Sequence, residues 1–119
     1  IAQIIQQATE NKAINLAGKT TLDELIAIID CLHLLITNDG GPLHMATALG
    51  KKTVSFFGPV DPLVYGPFPP DIKKHVVLKS DLECSPCYIK FRLLECYKQR
   101  ECLKNISVEQ AMAAVKNLL

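Results

Sequence analysis

Two groups of residues in this 119-residue chain have the types and spacing that chemistry requires. The first is a glycine-containing loop, residues 37–44, which follows an apolar run and leads into a helical pattern. Its two glycines let the backbone turn sharply and a ligand approach closely. We expect Gly41 to cap the helix and Pro42 to take its first position, where a missing N–H costs nothing.

The first turn of such a helix has free amides with a partial positive charge, which favours phosphate binding. His44 falls in that turn and leans back toward the same opening. Asp39 can accept hydrogen bonds from sugar hydroxyls, or it can brace the loop. A structural turn with a partly buried His44 is the alternative, because Asp-Gly-Gly-Pro is common turn chemistry. The loop also lacks a Walker lysine and a full dinucleotide fingerprint.

The second group is a cysteine-containing segment, residues 84–102, with four of the five cysteines. As thiolates, four such residues can hold a structural Zn²⁺ with no open position. The candidate ligands are Cys84, Cys87, Cys96 and Cys102. Two disulfides and plain reduced thiols are the alternatives, and the lack of a secretory signal favours a reducing compartment. Cys31 is expected to be a buried core thiol.

Apolar spacing predicts the elements that must position these groups. Helices are expected over 1–11, 21–31, 42–49 and 107–118. Strands are expected over 13–17, 34–37, 53–57 and 75–78. Capping boxes are predicted at Thr21 with Glu24 and at Ser107 with Gln110. The last helix should bury Val108, Ala111, Met112, Val115 and Leu119.

Strands that alternate with helices predict a single α/β domain over residues 1–119, a Rossmann-like parallel sheet with flanking helices. The run 34–37 should be covered on both faces. Ligands bind at the carboxyl ends of such strands, which is where the loop 37–44 falls. Residues 59–70 contain five prolines and should form an irregular loop beside that edge, with Asp61 as a turn-maker.

Composition excludes several classes of protein. The net charge is +1 and 49% of residues are apolar, which argues against a nucleic-acid binder and against disorder. Around the cysteines, Lys90, Arg92, Lys98 and Arg100 alternate with aromatic residues, but nearby glutamates dilute the charge, so a solvated face is expected there. No run is long enough to span a bilayer. The missing initiator Met suggests a piece of a longer protein.

Several runs in one order resemble glycosyltransferase family 9, the heptosyltransferases. They are Leu16–Leu25, Thr37–Ala46, Ala48–Gly50 and Val54–Pro62, with Tyr65-Gly66-Pro67 and the segment ending at Cys102-Leu103 after them. The resemblance implies a GT-B fold with two Rossmann-like halves, of which this chain matches the later part of the C-terminal half. Another sugar-nucleotide enzyme with a phosphate-binding α/β domain is the second interpretation.

The resemblance also implies roles for particular residues. Asp39, the amides of Gly40 and Gly41, and His44 would face the diphosphate and sugar of an ADP-heptose donor. Gly18, Lys19 and Thr20 would lie near the nucleoside, although Lys19 also fits a solvated loop charge. Many relatives have Ser or Thr where Gly40 stands, so only backbone contacts carry over at that position.

The family transfers heptose to lipopolysaccharide core with inversion and without a required metal cofactor. Its base is an acidic residue of the N-terminal half, so no catalytic residue is expected in this chain, which alone should transfer nothing. The implied partners are the ADP-sugar donor, the lipopolysaccharide core acceptor and the N-terminal domain of the same enzyme, with no nucleic acid. The implied location is cytoplasmic, at the inner face of the inner membrane.

Overall fold

A computed structural model describes all residues from 1 to 119, and its centre is a parallel sheet of three strands. The strands are β1 (Leu34–Asn38), β2 (Lys52–Phe57) and β3 (His75–Lys79), in the order β1-β2-β3. In the register of the sheet, Ile36 lies opposite Val54, and Val54 lies opposite Val76. All three carboxyl ends therefore meet at one edge, which confirms the predicted α/β class.

Six helices and a small hairpin complete the chain. The helices are α1 (Ala2–Ala8), α2 (Leu22–Cys31), α3 (Gly41–Ala48), α4 (Pro62–Tyr65), α5 (Glu101–Lys104) and α6 (Val108–Leu118). The hairpin pairs β4 (Tyr88–Ile89) with β5 (Arg92–Leu93) in antiparallel orientation. None of the helices combines the length and the hydrophobicity that a bilayer span requires.

Both predicted capping boxes are confirmed. The Thr21 hydroxyl accepts the Glu24 N–H at 3.3 Å, and the Glu24 carboxylate accepts the Thr21 N–H at 2.8 Å. Ser107 and Gln110 make the same reciprocal pair at the start of α6. Each box satisfies donors that a helix N-terminus otherwise leaves unpaired, so the sequence fixes where these two helices begin.

The core lies on both sides of β2. Val54 packs against Ala114 and Leu118 of α6 on one face of the sheet. Side chains alternate along a strand, so the buried Thr53 and Ser55 face the other side. Because Thr53, Val54 and Ser55 are all fully buried, both faces of β2 are covered. The α3 helix contacts β1 and β2, and α6 contacts β2 and β3, so β2 is the strand that both helices reach.

The predicted strand at 13–17 is wrong. Those residues are irregular and lead into a turn, where the Ala17 N–H donates to the Asn15 side chain and the Lys19 N–H donates to the Leu16 carbonyl. A strand exists only where a neighbour takes its backbone bonds, and β1 does not pair with this segment. The helix before it, α1, has no buried residue.

Two burial predictions near β1 are also wrong. Ile36, in the middle of β1, is 54% exposed, so this edge strand is not covered on both faces. Cys31 is exposed at the last position of α2 and is not a core thiol. The apolar character of a run does not show whether its strand is central or at an edge, and that position decides the burial.

The buried face of α6 is rotated by about one position from the predicted stripe. Ala114 and Leu118 are buried, whereas Val108, Met112 and Leu119 are exposed. The face that meets the sheet follows the spacing of residues 111, 114, 115 and 118, and a small residue at 114 lets the helix approach Val54 closely.

Two adjacent leucines test this assignment of the α6 face. Leu118 is 5% exposed and Leu119 is 78% exposed. Leu118→Ala should lower the free energy of unfolding by about 2–4 kcal/mol, because it removes buried methyl groups and leaves a cavity. The matched Leu119→Ala should change it by less than about 0.5 kcal/mol. Urea titrations of both variants measure the difference, and equal effects would contradict the assignment.

Candidate functional site

The loop after β1 turns directly into a helix at the carboxyl edge of the sheet. The Asp39 N–H donates to the Phe56 carbonyl at 3.1 Å, which extends the ladder one residue beyond β1. Gly40 is the N-cap of α3, and Pro42 takes the second helical position. The helix thus begins one residue earlier than predicted, because the Leu43 N–H already donates to the Gly40 carbonyl. His44 lies in the first turn and is exposed.

Two amides of this loop have no partner within the chain. The N–H groups of Gly40 and Gly41 donate to no backbone or side-chain acceptor. A Cβ atom built at either glycine would meet no atom within 4 Å, so the space in front of both is open. Neither residue has a left-handed backbone, but the chain bends at residues 39 and 40 as it passes from β1 into α3, as the two glycines predict. What the glycines provide is access to the two amides.

The Asp39 carboxylate lies beside these amides and is partly buried. Burial raises its pKa above the ordinary aspartate value, and the nearby His44 opposes that change. No hydrogen bond from the chain contributes to the pKa of this carboxylate, so it does not brace the loop. It is a desolvated acceptor that a ligand hydroxyl could satisfy.

The predicted nucleoside residues lie just before α2. Only two residues separate the end of α2 from the start of β1, so the other end of α2 lies at the carboxyl edge of the sheet. The α2 helix also packs against α3. Gly18 has φ +72°, a left-handed conformation that favours glycine, and Lys19 is exposed. No hydrogen bond or ion pair joins residues 18–20 to the loop 39–44. The two predicted groups share an edge of the sheet, with no hydrogen bond or ion pair between them.

Sequence reasoning missed a polar cavity at the carboxyl ends of β2 and β3. Its volume is about 320 Å³, and its lining runs from Gly58 to Pro62 and from Lys79 to Pro86 without including the loop 39–44. Asp61 lines it and also caps α4 by accepting the Leu63 N–H at 2.9 Å, which confirms the predicted turn-maker. The prolines of 59–70 pointed to one wall of this cavity, but nothing in residues 79–86 pointed to the other.

The cysteine segment is attached to the same edge. The Pro59 carbonyl accepts the N–H groups of Cys87 and Tyr88 at 2.8 and 2.9 Å, and the Ser85 hydroxyl donates to the Gly58 carbonyl at 2.7 Å. Gly58 is buried under Leu103, whose Cγ would lie 2.9 Å from a Cβ at position 58. A glycine is needed there because α5 comes so close to the end of β2.

All five cysteines are free thiols. Cys84, Cys87 and Cys96 line a cavity of about 250 Å³, and Cys102 is buried. Burial raises the pKa of the Cys87 thiol, and the other three cysteines of the segment raise it further. No three His, Cys, Asp or Glu side chains meet in the geometry of a metal site. Zinc at these thiols stays a prediction, which elemental analysis of the purified protein can decide.

The partial burial of Asp39 gives a prediction for stability against pH. Because its pKa is higher in the folded state, stability falls as pH rises through the interval above the ordinary aspartate value. Asp39→Asn should therefore raise the free energy of unfolding at neutral pH, and the gain should fade as the carboxyl becomes protonated in acid. Urea titrations at several pH values measure this dependence.

The control for this experiment is Asp81→Asn. Asp81 is exposed and lies 3.8 Å from the Lys79 ammonium, so its replacement should change stability by less than about 0.5 kcal/mol at any of these pH values. An Asp39→Asn variant that is less stable at neutral pH would show that the carboxylate braces the loop after all.

Comparisons with known proteins identify relatives of this chain. The family model described as glycosyltransferase family 9 (heptosyltransferase) matches residues 1–98. Lipooligosaccharide heptosyltransferase 2 of Campylobacter jejuni subsp. jejuni serotype O:2 is 38% identical over 108 residues, which are 91% of this chain and 32% of the relative. Lipopolysaccharide heptosyltransferase 2 of Escherichia coli K12 is 42% identical over 48 residues, 40% of this chain and 14% of the relative.

The chain spans about a third of the length of the first of these relatives. No solved structure matches it. The family match covers both the loop 39–44 and the start of α2, so it includes both predicted groups of donor-binding residues. The chain belongs to glycosyltransferase family 9, the heptosyltransferase family.

Proposed function

We propose that this chain is the donor-binding part of a heptosyltransferase that takes an ADP-activated heptose and transfers the sugar to lipopolysaccharide core. The observation that carries the proposal is the pair of free amides at Gly40 and Gly41, two residues with open space where a side chain would stand, at the carboxyl edge of a parallel sheet. That edge is where open α/β sheets bind their ligands. Relatives of this chain are named lipopolysaccharide or lipooligosaccharide heptosyltransferases.

The chemistry follows from the charge that develops during sugar transfer. When the bond between the sugar and the diphosphate breaks, negative charge grows on the departing phosphate oxygens. Fixed amides at the N-terminus of α3 would stabilise that charge without reorganisation. Asp39, with no hydrogen bond from the chain, would accept from hydroxyl groups of the sugar, and His44 would lie beside the phosphates.

The remaining parts of the reaction belong to the rest of the protein. Transfer with inversion needs a base that deprotonates the acceptor hydroxyl, and the proposal places that base in the N-terminal half. No metal cofactor is required, because the amides take the role of a cation at the diphosphate. The proposed location is the cytoplasmic side of the inner membrane, where the lipid-linked acceptor would be met.

Calorimetry with ADP tests the donor site. The chain should bind ADP with a Kd of about 1 mM or tighter. Gly41→Val should weaken binding by at least about tenfold, because the branched side chain would fill the open space in front of the amides. Asp39→Ala should reduce the affinity for an ADP-sugar more than the affinity for ADP. The chain alone should transfer no sugar.

Ala48→Val is the matched control for bulk, since Ala48 is exposed at the other end of the same helix. It adds a branched side chain to the same helix, and it should leave ADP affinity unchanged even though it lowers helix propensity, which Gly41→Val does not. Equal ADP affinity of the Gly41→Val variant and the wild type would contradict the proposed site. Stronger binding of uridine diphosphate than of adenosine diphosphate would favour the second interpretation, another sugar-nucleotide enzyme.

A further inference from the structure

The β4–β5 hairpin has an unusual tip. Tyr88 pairs with Leu93 and Ile89 pairs with Arg92, so only two residues make the turn. Both of them, Lys90 and Phe91, have left-handed backbones with φ 48° and 62°. Two-residue hairpin turns of this kind normally contain Asn and Gly, because larger side chains make the left-handed conformation costly. Holding a phenylalanine at the end of this hairpin therefore strains the backbone.

The hairpin and the residues after it expose an apolar surface. Every residue from 89 to 97 is exposed, and Phe91 and Tyr97 are 83% and 77% exposed. The other exposed apolar side chains of this segment are Ile89, Leu93 and Leu94, with Ile89 and Leu93 on opposite faces of the hairpin. Apolar side chains gathered at one hairpin and covered by no part of the chain mark a contact site.

The charges between these side chains indicate what the contact is. Lys90 and Arg92 lie on either side of Phe91 at the tip or next to it, and the one carboxylate of residues 88–97 is Glu95, beyond the hairpin. The centre of a protein interface accepts arginine and aromatic residues but is depleted of lysine, so Lys90 beside Phe91 is the feature that fits a protein partner poorly. A lipid headgroup region accommodates this mixture of apolar and cationic side chains, because the apolar side chains enter the acyl boundary while the cations extend to the phosphates.

Three contacts attach the hairpin to the carboxyl edge of the sheet. The Cys87 and Tyr88 amides bond to the Pro59 carbonyl, and the Tyr88 ring packs edge-on against Tyr65 with 5.8 Å between ring centres. Pro59 follows β2 at the carboxyl edge of the sheet. The hairpin and the loop 39–44 are therefore both attached to that edge.

We propose that the hairpin Tyr88–Leu94 docks on an anionic lipid surface, with Phe91 entering the headgroup boundary and Lys90 and Arg92 contacting lipid phosphates. Docking by this hairpin turns the carboxyl edge, with the donor loop, toward a lipid-linked acceptor. The role of docking in catalysis rests on the proposed function, but the docking itself does not require a nucleotide.

Sedimentation with vesicles, in the absence of nucleotide, tests the docking surface. The full-length protein should sediment with vesicles that contain phosphatidylglycerol and much less with vesicles of phosphatidylcholine alone. Phe91→Ser should weaken the binding about tenfold, because it removes one buried aromatic ring. Lys90→Gln with Arg92→Gln should weaken it roughly thirtyfold, since each cation near an anionic surface contributes about a factor of five.

The matched controls are Val108→Ser and Lys116→Gln, which remove an exposed apolar side chain and a cation from α6. Both should bind as wild type does. Hydrogen exchange of wild type should show protection of residues 88–94 only when anionic vesicles are present. No binding to anionic vesicles at low salt, or equal losses in the controls, would overturn the proposal. Protection of 88–94 without vesicles would instead show that another part of the protein covers the hairpin.

ADP calorimetry on the same variants separates the two proposals. Hairpin variants that lose vesicle binding should keep wild-type ADP affinity, whereas Gly41→Val should lose ADP affinity and keep vesicle binding. A failure of one proposal therefore does not imitate a failure of the other.

Discussion

The hydrogen bond from the Asp39 N–H to the Phe56 carbonyl is the contact on which the arrangement of the carboxyl edge depends. It is the last bond between β1 and β2, and beyond it the chain leaves the sheet and enters α3. Because the ladder ends there, the next two amides have no strand to pair with and no helical turn before them. The open amides of Gly40 and Gly41 are thus a direct consequence of where the ladder stops.

Local signals predicted much of the fold. Thr21 with Glu24 and Ser107 with Gln110 form their capping boxes from residues three apart, so no distant contact is needed to place them. The three apolar runs that became β1, β2 and β3 were found because helical patterns and turns separate them. The loop 39–44 can be predicted for the same reason, since its residue types are local, although α3 begins one residue earlier than expected.

What the sequence could not show depends on neighbours that are distant along the chain. Ile14 resembles a strand residue, but it lies in a segment that no strand of the sheet pairs with. Which face of α6 is buried depends on its contact with Val54, which lies more than fifty residues earlier in the chain. The second wall of the carboxyl-edge cavity is built from residues 79–83, which contain no motif, with Ser85 and Pro86, and it is recognised only when β3 brings it beside Gly58.

The close approach of Leu103 to Gly58 has a consequence for how this domain can vary. The two positions share one fixed volume, so a methyl group gained at 58 must be offset by atoms lost at 103. Homologues should therefore show linked exchanges at this pair, a larger residue at the first with a smaller one at the second. Where position 103 keeps a branched side chain, position 58 should remain glycine.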